Sequence, residues 1–134
     1  PENSPGILDF QDGVYGPITY DLVSLLRDCY IVWPASKLDM WFMDYYMMAR
    51  KAGLLDDIDQ VTFRRWFDWM GLQRHIKIAG IFARLNHRDG KPAYLNDIPT
   101  ALQYILDVGS LYSEMDFLTD FIARQVLPNF RAKQ

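Results

Sequence analysis

The pattern of apolar and polar residues predicts a chain that is helical over most of its length. The run Ile7–Phe10 is typical of a short strand, and the glycines and the proline of residues 11–17 predict a loop after it. From there, apolar side chains recur every three or four residues, which is the period of an α-helix. We therefore expect a mainly α fold of about five helices with a short N-terminal β-strand.

Proline, glycine and capping residues predict where the first two helices begin and end. The first helix starts near Pro17 and is expected to stop at Pro34. Ser36 followed by Asp39 resembles a capping box at the start of the second helix. Gly53 is placed to end that helix in the left-handed conformation.

The third helix is predicted to be the longest, from a cap at Asp59 and a start near Gln60 to about Asn86. It is apolar on every side, which is typical of a helix in the middle of a bundle. Gly71 and Gly80 lie inside it, and each costs about 1 kcal/mol relative to alanine. We expect close packing of a neighbour, or a kink, at these glycines.

Two shorter helices complete the predicted bundle. Asn96 or Asp97 is expected to cap a fourth helix. Ser113 and Asp116 form a further predicted capping box, and the fifth helix that follows it is expected to end at Pro128.

Composition restricts the class of protein. The chain has 134 residues, half of them hydrophobic, which fits a single folded domain over residues 1–134. A net charge of −3 argues against a nucleic-acid partner, and the longest apolar runs are too short to predict a membrane span. The one cysteine, Cys29, suits a reducing compartment such as the cytoplasm.

Asp9 is the first candidate for chemistry, because it places a carboxylate beside the apolar residues of the predicted strand. Burying an unpaired carboxylate lowers the stability of the fold by roughly several kcal/mol, and a bound cation or a basic partner would offset that loss. Carboxylate oxygens at a strand end suit Mg²⁺. The alternative is an aspartate that starts a turn by accepting backbone hydrogen bonds.

The residues around Asp9 match a known pattern. The sequence GILDFQDG at Gly6–Gly13 is followed by GPITYDLVSLLRD at Gly16–Asp28. This strand end, Gly-Pro loop and Tyr-Asp-Leu helix start resemble the aminoglycoside phosphotransferase family, whose members have a protein-kinase-like fold. The run FDWMGLQRHIK at Phe67–Lys77 is most similar to the cell-wall-recycling branch, whose anomeric kinases phosphorylate N-acetylmuramate and N-acetylglucosamine. The resemblance extends over nearly the whole chain and is strongest in residues 6–33 and 63–97.

The resemblance implies roles for two acidic residues. Asp9 would hold the Mg²⁺ that bridges the phosphates of ATP. Asp21 would brace the catalytic loop by hydrogen bonds, although an acid in the first turn of a helix also complements the helix dipole. Gln11 occupies the position at which the kinase Asp-Phe-Gly motif has glycine.

The other motifs of such a kinase precede the Asp9 strand in family order. These are the phosphate-covering loop, the strand lysine and the catalytic loop with its base aspartate and its metal-binding asparagine. We therefore expect the chain to be the C-terminal part of the helical lobe of a longer kinase, unable on its own to bind ATP productively. His87-Arg88-Asp89 repeats the first letters of the catalytic loop, but it follows Asp9 and has Tyr94 where the loop's asparagine belongs. We interpret it as a surface turn.

Charge suggests the class of substrate. Residues 61–90 carry six basic and two acidic side chains, a net charge of +4, so the rest of the chain is at −7. A basic helix suits a neutral or anionic sugar better than a polycationic aminoglycoside. Gln73, Arg74 and Trp69 are the predicted sugar contacts, with Arg74 suited to a carboxylate. A solvated basic face and core aromatic residues are the alternatives.

Other interpretations stay open at this point. Aminoglycoside, homoserine and choline kinases share the motif that carries Asp9 and Asp21. A non-catalytic helical interaction module derived from a kinase would also lack the upstream motifs. If an amino-terminal half normally packs on this chain, its removal exposes apolar surface, so we expect self-association.

Overall fold

The computed structural model describes residues 13–131, and almost all of its regular structure is helical. The helices are α1 (Thr19–Leu26), α2 (Ala35–Lys51), α3 (Gln60–Asp89), α4 (Ile98–Gly109), α5 (Asp116–Phe121) and α6 (Leu127–Arg131). Short 3-10 helices lie at Pro92–Asp97 and Ser113–Met115, and a π-helical segment at Ile122–Val126 joins α5 to α6. No strand occurs between residues 13 and 131, so the mainly α prediction is confirmed. The predicted strand at residues 7–10 lies outside the described residues.

Helix α3 is the central element of the bundle, as predicted. Its 30 residues span about 45 Å, and its two halves contribute to different hydrophobic clusters. The first cluster joins α1, α2 and the first half of α3, with Val23, Phe42 and Phe63 fully buried. The second joins the rest of α3 to α4 and to the helices after it, around Leu72 and Ile105.

Burial along α3 is less uniform than its composition predicts. Phe63 and Phe67 are completely buried, whereas Trp66 is 42% exposed, Trp69 36% and Ile76 45%. The exposed aromatic residues lie near the start of α1, where they are free to form one wall of a groove. Within residues 13–131, no helix has the length and apolar character needed to cross a lipid bilayer.

Several predicted helix ends are confirmed. The side chain of Asp59 accepts a hydrogen bond from the backbone N–H of Thr62 at 2.7 Å and so caps α3. Gly53 follows α2 with a φ of 70°, a conformation that glycine adopts at little cost. Helix α3 runs to Asp89, three residues beyond its predicted end near Asn86, and Gly90 ends it with a φ of 62°.

The boundary between α1 and α2 differs from the prediction. Helix α1 ends at Leu26, and Arg27 leaves the helical conformation with a φ of −124°. Pro34, which we expected to stop the first helix, precedes the first residue of α2 instead. Ser36 lies inside α2 and forms no capping hydrogen bond. The inward turn at Arg27 accompanies a buried ion pair with Asp68, which the local sequence does not reveal.

The end of the described chain also differs. Asp97 precedes α4 as predicted, but neither it nor the residues before α5 form a side-chain cap. Ser113 instead begins a 3-10 turn. Pro128 does not close the last helix, because it is the second residue of α6, where a missing N–H is tolerated. The wider π turn at Ile122–Val126 comes directly before it.

The two glycines inside α3 have different surroundings. A Cβ added at Gly71 would lie 3.0 Å from Nη1 of Arg27, so the expected close packing is confirmed there. A Cβ at Gly80 would meet nothing within 4 Å.

Candidate functional site

A groove of about 470 Å³ lies between the start of α1 and the middle of α3. Its α1 side is formed by Pro17, Ile18 and Thr19, and its α3 side by Trp66, Trp69, Met70 and Gln73. The groove is mostly apolar, with two indole rings on one wall and the Gln73 amide as its exposed polar group. Indole faces and a single amide can hold a ring that has both an apolar face and hydrogen-bonding groups.

The structure brings two of the three predicted sugar contacts into this groove. Trp69 and Gln73 both line it, one helical turn apart on α3. Arg74 does not line it. The Arg74 guanidinium instead lies over the Tyr20 ring at 4.5 Å from the centroid, on the α1 residue that follows the groove residue Thr19. Arg74 is therefore a neighbour of the groove and not part of its wall.

The groove also adjoins the first turn of α1, which carries Asp21. Asp21 is exposed in the first turn of α1, which confirms its position at the positive end of the helix dipole. Burial and then the Asp21 charge raise the pKa of Tyr45, whose hydroxyl points to the carbonyl of Ile18. Asp9, the predicted metal ligand, lies outside the described residues.

No metal centre is formed by the described residues themselves. Between residues 13 and 131, no three histidine, cysteine, aspartate or glutamate side chains are close enough together to hold one ion.

A buried polar network behind the groove was not predicted from the sequence. Asp68 is 2% exposed; its Oδ1 accepts a hydrogen bond from Nη2 of Arg27 at 2.6 Å, and its Oδ2 accepts one from the Tyr112 hydroxyl at 2.7 Å. The Arg27 guanidinium also lies over the Phe67 ring, 4.4 Å from its centroid. Burial and the hydrogen bond to Asp68 raise the pKa of Tyr112.

A sequence signal for this network did exist. Asp68 is an acidic residue on a helix that is apolar on every side. Like Asp9, it therefore places a carboxylate beside apolar residues. Its partners are 41 and 44 residues away in the chain, so no local pattern identifies them.

His75 forms a second buried polar position. Its Nδ1 lies 2.8 Å from the carbonyl oxygen of Gly71, and its ring stacks on Tyr104 with centroids 4.5 Å apart. Its Nε2 is buried without a hydrogen-bond partner among the described residues. Burial lowers the pKa of His75 to about 4, and the nearby Arg27 charge acts in the same direction. The imidazole is therefore neutral at pH 7.

Two of the six basic side chains predicted to form a basic face on α3 pair with acids from other elements. Arg64 pairs with Asp39 of α2 at 2.7 Å, and Arg65 pairs with Glu114 at 2.7 Å. Both acids lie outside residues 61–90, the segment with a net charge of +4. Arg74 remains without an ion pair among the described residues.

The His87-Arg88-Asp89 sequence has no catalytic geometry in the structure. The three residues are exposed in the last turn of α3, and Arg88 hydrogen-bonds to Asp89 at 2.7 Å. The expected bend follows at Gly90, although His87–Asp89 are helical and do not belong to the turn itself.

A second cavity, of about 590 Å³, lies at the other end of α3. The side chains of α3 that line it run from Ala79 to His87, and Gln125 of the π segment lies on another wall. Asp21, Trp69, Gln73 and Arg74 do not line it.

Comparison with known proteins finds similar kinases. The chain is 46% identical over 120 residues to the N-acetylmuramate/N-acetylglucosamine kinase of Pseudomonas putida, a match to 90% of this chain and 35% of that protein. It is 52% identical over 111 residues to the protein of that name from Neisseria meningitidis serogroup B, covering 83% of this chain and 33% of that protein. The protein of that name from Pseudomonas aeruginosa is 40% identical over 122 residues, covering 91% of this chain and 36% of that protein.

These matches place the similarity in one region of longer proteins. The chain spans about a third of the length of the curated relatives it matches. No protein-family model matches the chain, and no solved structure matches it. The similarity is therefore to proteins named as amino-sugar kinases, over nearly all of this chain and a minor part of theirs.

Proposed function

We propose that this chain is the C-terminal part of an ATP- and Mg²⁺-dependent kinase that phosphorylates an amino-sugar hydroxyl, of the N-acetylmuramate or N-acetylglucosamine type. The observation that carries the proposal is the 40–52% identity to three proteins with that kinase name, over 83–91% of this chain. The proposal includes membership of the aminoglycoside phosphotransferase family, a protein-kinase-like helical lobe, one domain and a cytoplasmic location. The motif around Asp9 and Asp21 supports the family assignment.

Within this proposal, Asp9 holds the magnesium ion of the nucleotide. Mg²⁺ would neutralise the charge that builds on the transferring phosphoryl group. Asp21 supports the catalytic loop from the first turn of α1, where its exposed carboxylate can accept hydrogen bonds from an upstream segment. The base aspartate and the remaining metal ligand belong to the longer protein.

The groove between α1 and α3 is the proposed sugar site. Its α1 wall begins at Pro17, eight residues after Asp9, so the phosphate-binding and sugar-binding parts are close in sequence. Trp69 offers an indole face for the apolar side of the sugar ring, and Gln73 can hydrogen-bond to a hydroxyl or to the acetamido group. Arg74, beside the groove, is placed to pair with a carboxylate on the sugar.

The test is an assay of the complete protein. With ATP and Mg²⁺, we expect phosphorylation of N-acetylmuramate and N-acetylglucosamine, detected by mass spectrometry, and none of kanamycin. Asp9→Ala should abolish turnover, whereas the neighbouring variant Asp12→Ala should retain most of it. The 134-residue chain alone should be inactive. A complete protein that phosphorylates only kanamycin, or that has no kinase activity, would contradict the proposal.

The role of Arg74 has a separate test, because the two sugars differ in charge. N-acetylmuramate carries a lactyl carboxylate that N-acetylglucosamine lacks, and a charged hydrogen bond contributes about 1.5–3 kcal/mol. Arg74→Gln should therefore raise KM for N-acetylmuramate by roughly tenfold or more and leave KM for N-acetylglucosamine within about twofold. Equal effects on both sugars would show that Arg74 does not read the carboxylate.

A further inference from the structure

The network around Asp68 links α3, which forms one wall of the groove, to the end of α1 and to the turn before α5. Arg27 directly follows α1, Asp68 lies in the middle of α3, and Tyr112 lies in the turn between α4 and α5. Through these three side chains, one buried carboxylate joins three separate parts of the chain. The distances are 2.6 Å to Arg27 and 2.7 Å to Tyr112, so both oxygens of Asp68 are used.

Burying this ion pair is an inefficient way to gain stability. Both side chains lose almost all contact with water, at 7% and 3% exposure, and that desolvation offsets much of their attraction. Packed apolar side chains of the same size would often stabilise a core as well. What the paired carboxylate provides in addition is a fixed geometry, because any other arrangement leaves its charge unpaired, even though Nη1 of Arg27 is buried without a hydrogen-bond partner among the described residues.

The geometry that it fixes includes the Trp69 wall of the groove. The Tyr112 ring meets the Trp69 ring edge-on, with centroids 6.2 Å apart and planes at 90°. The Arg65 guanidinium lies over both rings, 4.4 Å from Trp69 and 5.2 Å from Tyr112, and is itself held by Glu114. Since Trp69 is 36% exposed, these contacts on one side are what orient it toward the groove.

We infer that Tyr112, held by Asp68, is a positioning residue that fixes Trp69 as the stacking wall for the sugar substrate. The inference rests on the proposed function. It assigns a role to a residue that is 44 positions from Asp68 in the chain and does not line the groove. Fixing the indole before the sugar arrives lowers the ordering cost of binding, so the expected effect is on the affinity for the sugar and not on the chemical step.

The experiment measures steady-state kinetics of the complete protein with Tyr112→Phe, which keeps the ring and removes the hydroxyl. We expect KM for the amino sugar to rise about fivefold, the equivalent of the ordering cost of one side chain, with kcat and KM for ATP within about twofold. Tyr104→Phe is the matched control. It removes a hydroxyl whose contact is to the carbonyl of Ile31, away from Trp69, and should leave the sugar KM unchanged.

A double-mutant cycle separates positioning from general loosening of the fold. In a Trp69→Phe background, adding Tyr112→Phe should no longer change the sugar KM, because the indole that Tyr112 orients has gone. If Tyr112→Phe leaves the sugar KM unchanged, or changes it equally in both backgrounds, the positioning role is wrong although the kinase proposal stands. If the complete protein phosphorylates no amino sugar, the kinase proposal fails and this inference fails with it.

Discussion

Replacing Asp68 with asparagine removes a negative charge from the interior of the protein while keeping the shape of the side chain. Arg27 would remain 7% exposed beside an amide, without a counter-ion among its described neighbours. Breaking a buried ion pair by removing one partner costs about 3–5 kcal/mol. An asparagine oxygen can still accept one of the two hydrogen bonds, so we expect a loss near the lower end, about 3 kcal/mol.

The matched control is Asp39→Asn, which breaks a pair of nearly the same length between α2 and α3. Arg64 lies 2.7 Å from Asp39, but the aspartate side chain is 60% exposed. An exposed pair contributes about 0–1 kcal/mol, so the control should lose less than about 1 kcal/mol. The difference between the two variants therefore measures the burial of Asp68 together with its second hydrogen bond, from Tyr112.

The assay is urea unfolding of the chain, followed by the fluorescence of its four tryptophans. If the two asparagine variants lose the same free energy of unfolding, the Asp68 network is not buried in solution and our reasoning is refuted. If Asp68→Asn cannot be purified folded, Tyr112→Phe provides the smaller perturbation, with an expected loss of about 2 kcal/mol, because the hydrogen bond it removes is to a buried carboxylate.

Three further predictions concern other parts of the chain. Gly109→Ala should destabilise the chain by about 1–2 kcal/mol, because the new Cβ would lie 2.6 Å from a methyl carbon of Thr119. Gly80→Ala should stabilise the chain by about 1 kcal/mol, because its Cβ would meet nothing within 4 Å. Similar urea midpoints for the two variants would contradict this prediction. Burial lowers the pKa of His75 from 6.5 to about 4 in the folded chain. The stability that depends on its neutral imidazole is therefore fully present above about pH 6.5 and is lost as the pH falls toward 4. Urea unfolding should therefore show about 2 kcal/mol lower stability at pH 5 than at pH 7, and His75→Phe should remove most of that difference; an unchanged difference would refute the assignment. Finally, light scattering of the 134-residue chain should show oligomers at high concentration, because large apolar side chains such as Leu25, Met48 and Phe117 are exposed, and a clean monomer would count against this.

The ends of the helices could be predicted from the sequence where they depend on capping residues close by in the chain. Asp59 and Gly53 act through residues within one turn, and their caps were predicted correctly. The end of α1 was not, because the chain leaves the helix at Arg27, whose partner is 41 residues away. Pro128 was misjudged because a π segment, which has no sequence signature of its own here, carries the helix past it.

The candidate site divides in the same way. Trp69 and Gln73 were predicted from the charge of the segment and from residue type, and helical spacing alone puts them on one side of α3. Arg74 lies over Tyr20 and outside the groove because of the way α1 packs across α3. The helical periodicity of the sequence does not specify that packing. The role of Asp9 stays a prediction, since that residue is outside the described part of the chain.

What the sequence by itself determined is the class of fold and the kind of protein it resembles, since periodicity, caps and a motif are short-range patterns written along the chain. What only the tertiary structure decided is which charges are buried and which residues share a wall. Asp68 and Asp39 are both acids near apolar residues, yet one is sealed between three segments and the other faces water. The physical reason is that the energy of a charge depends on everything packed around it, and that packing is set by helices far apart in the sequence.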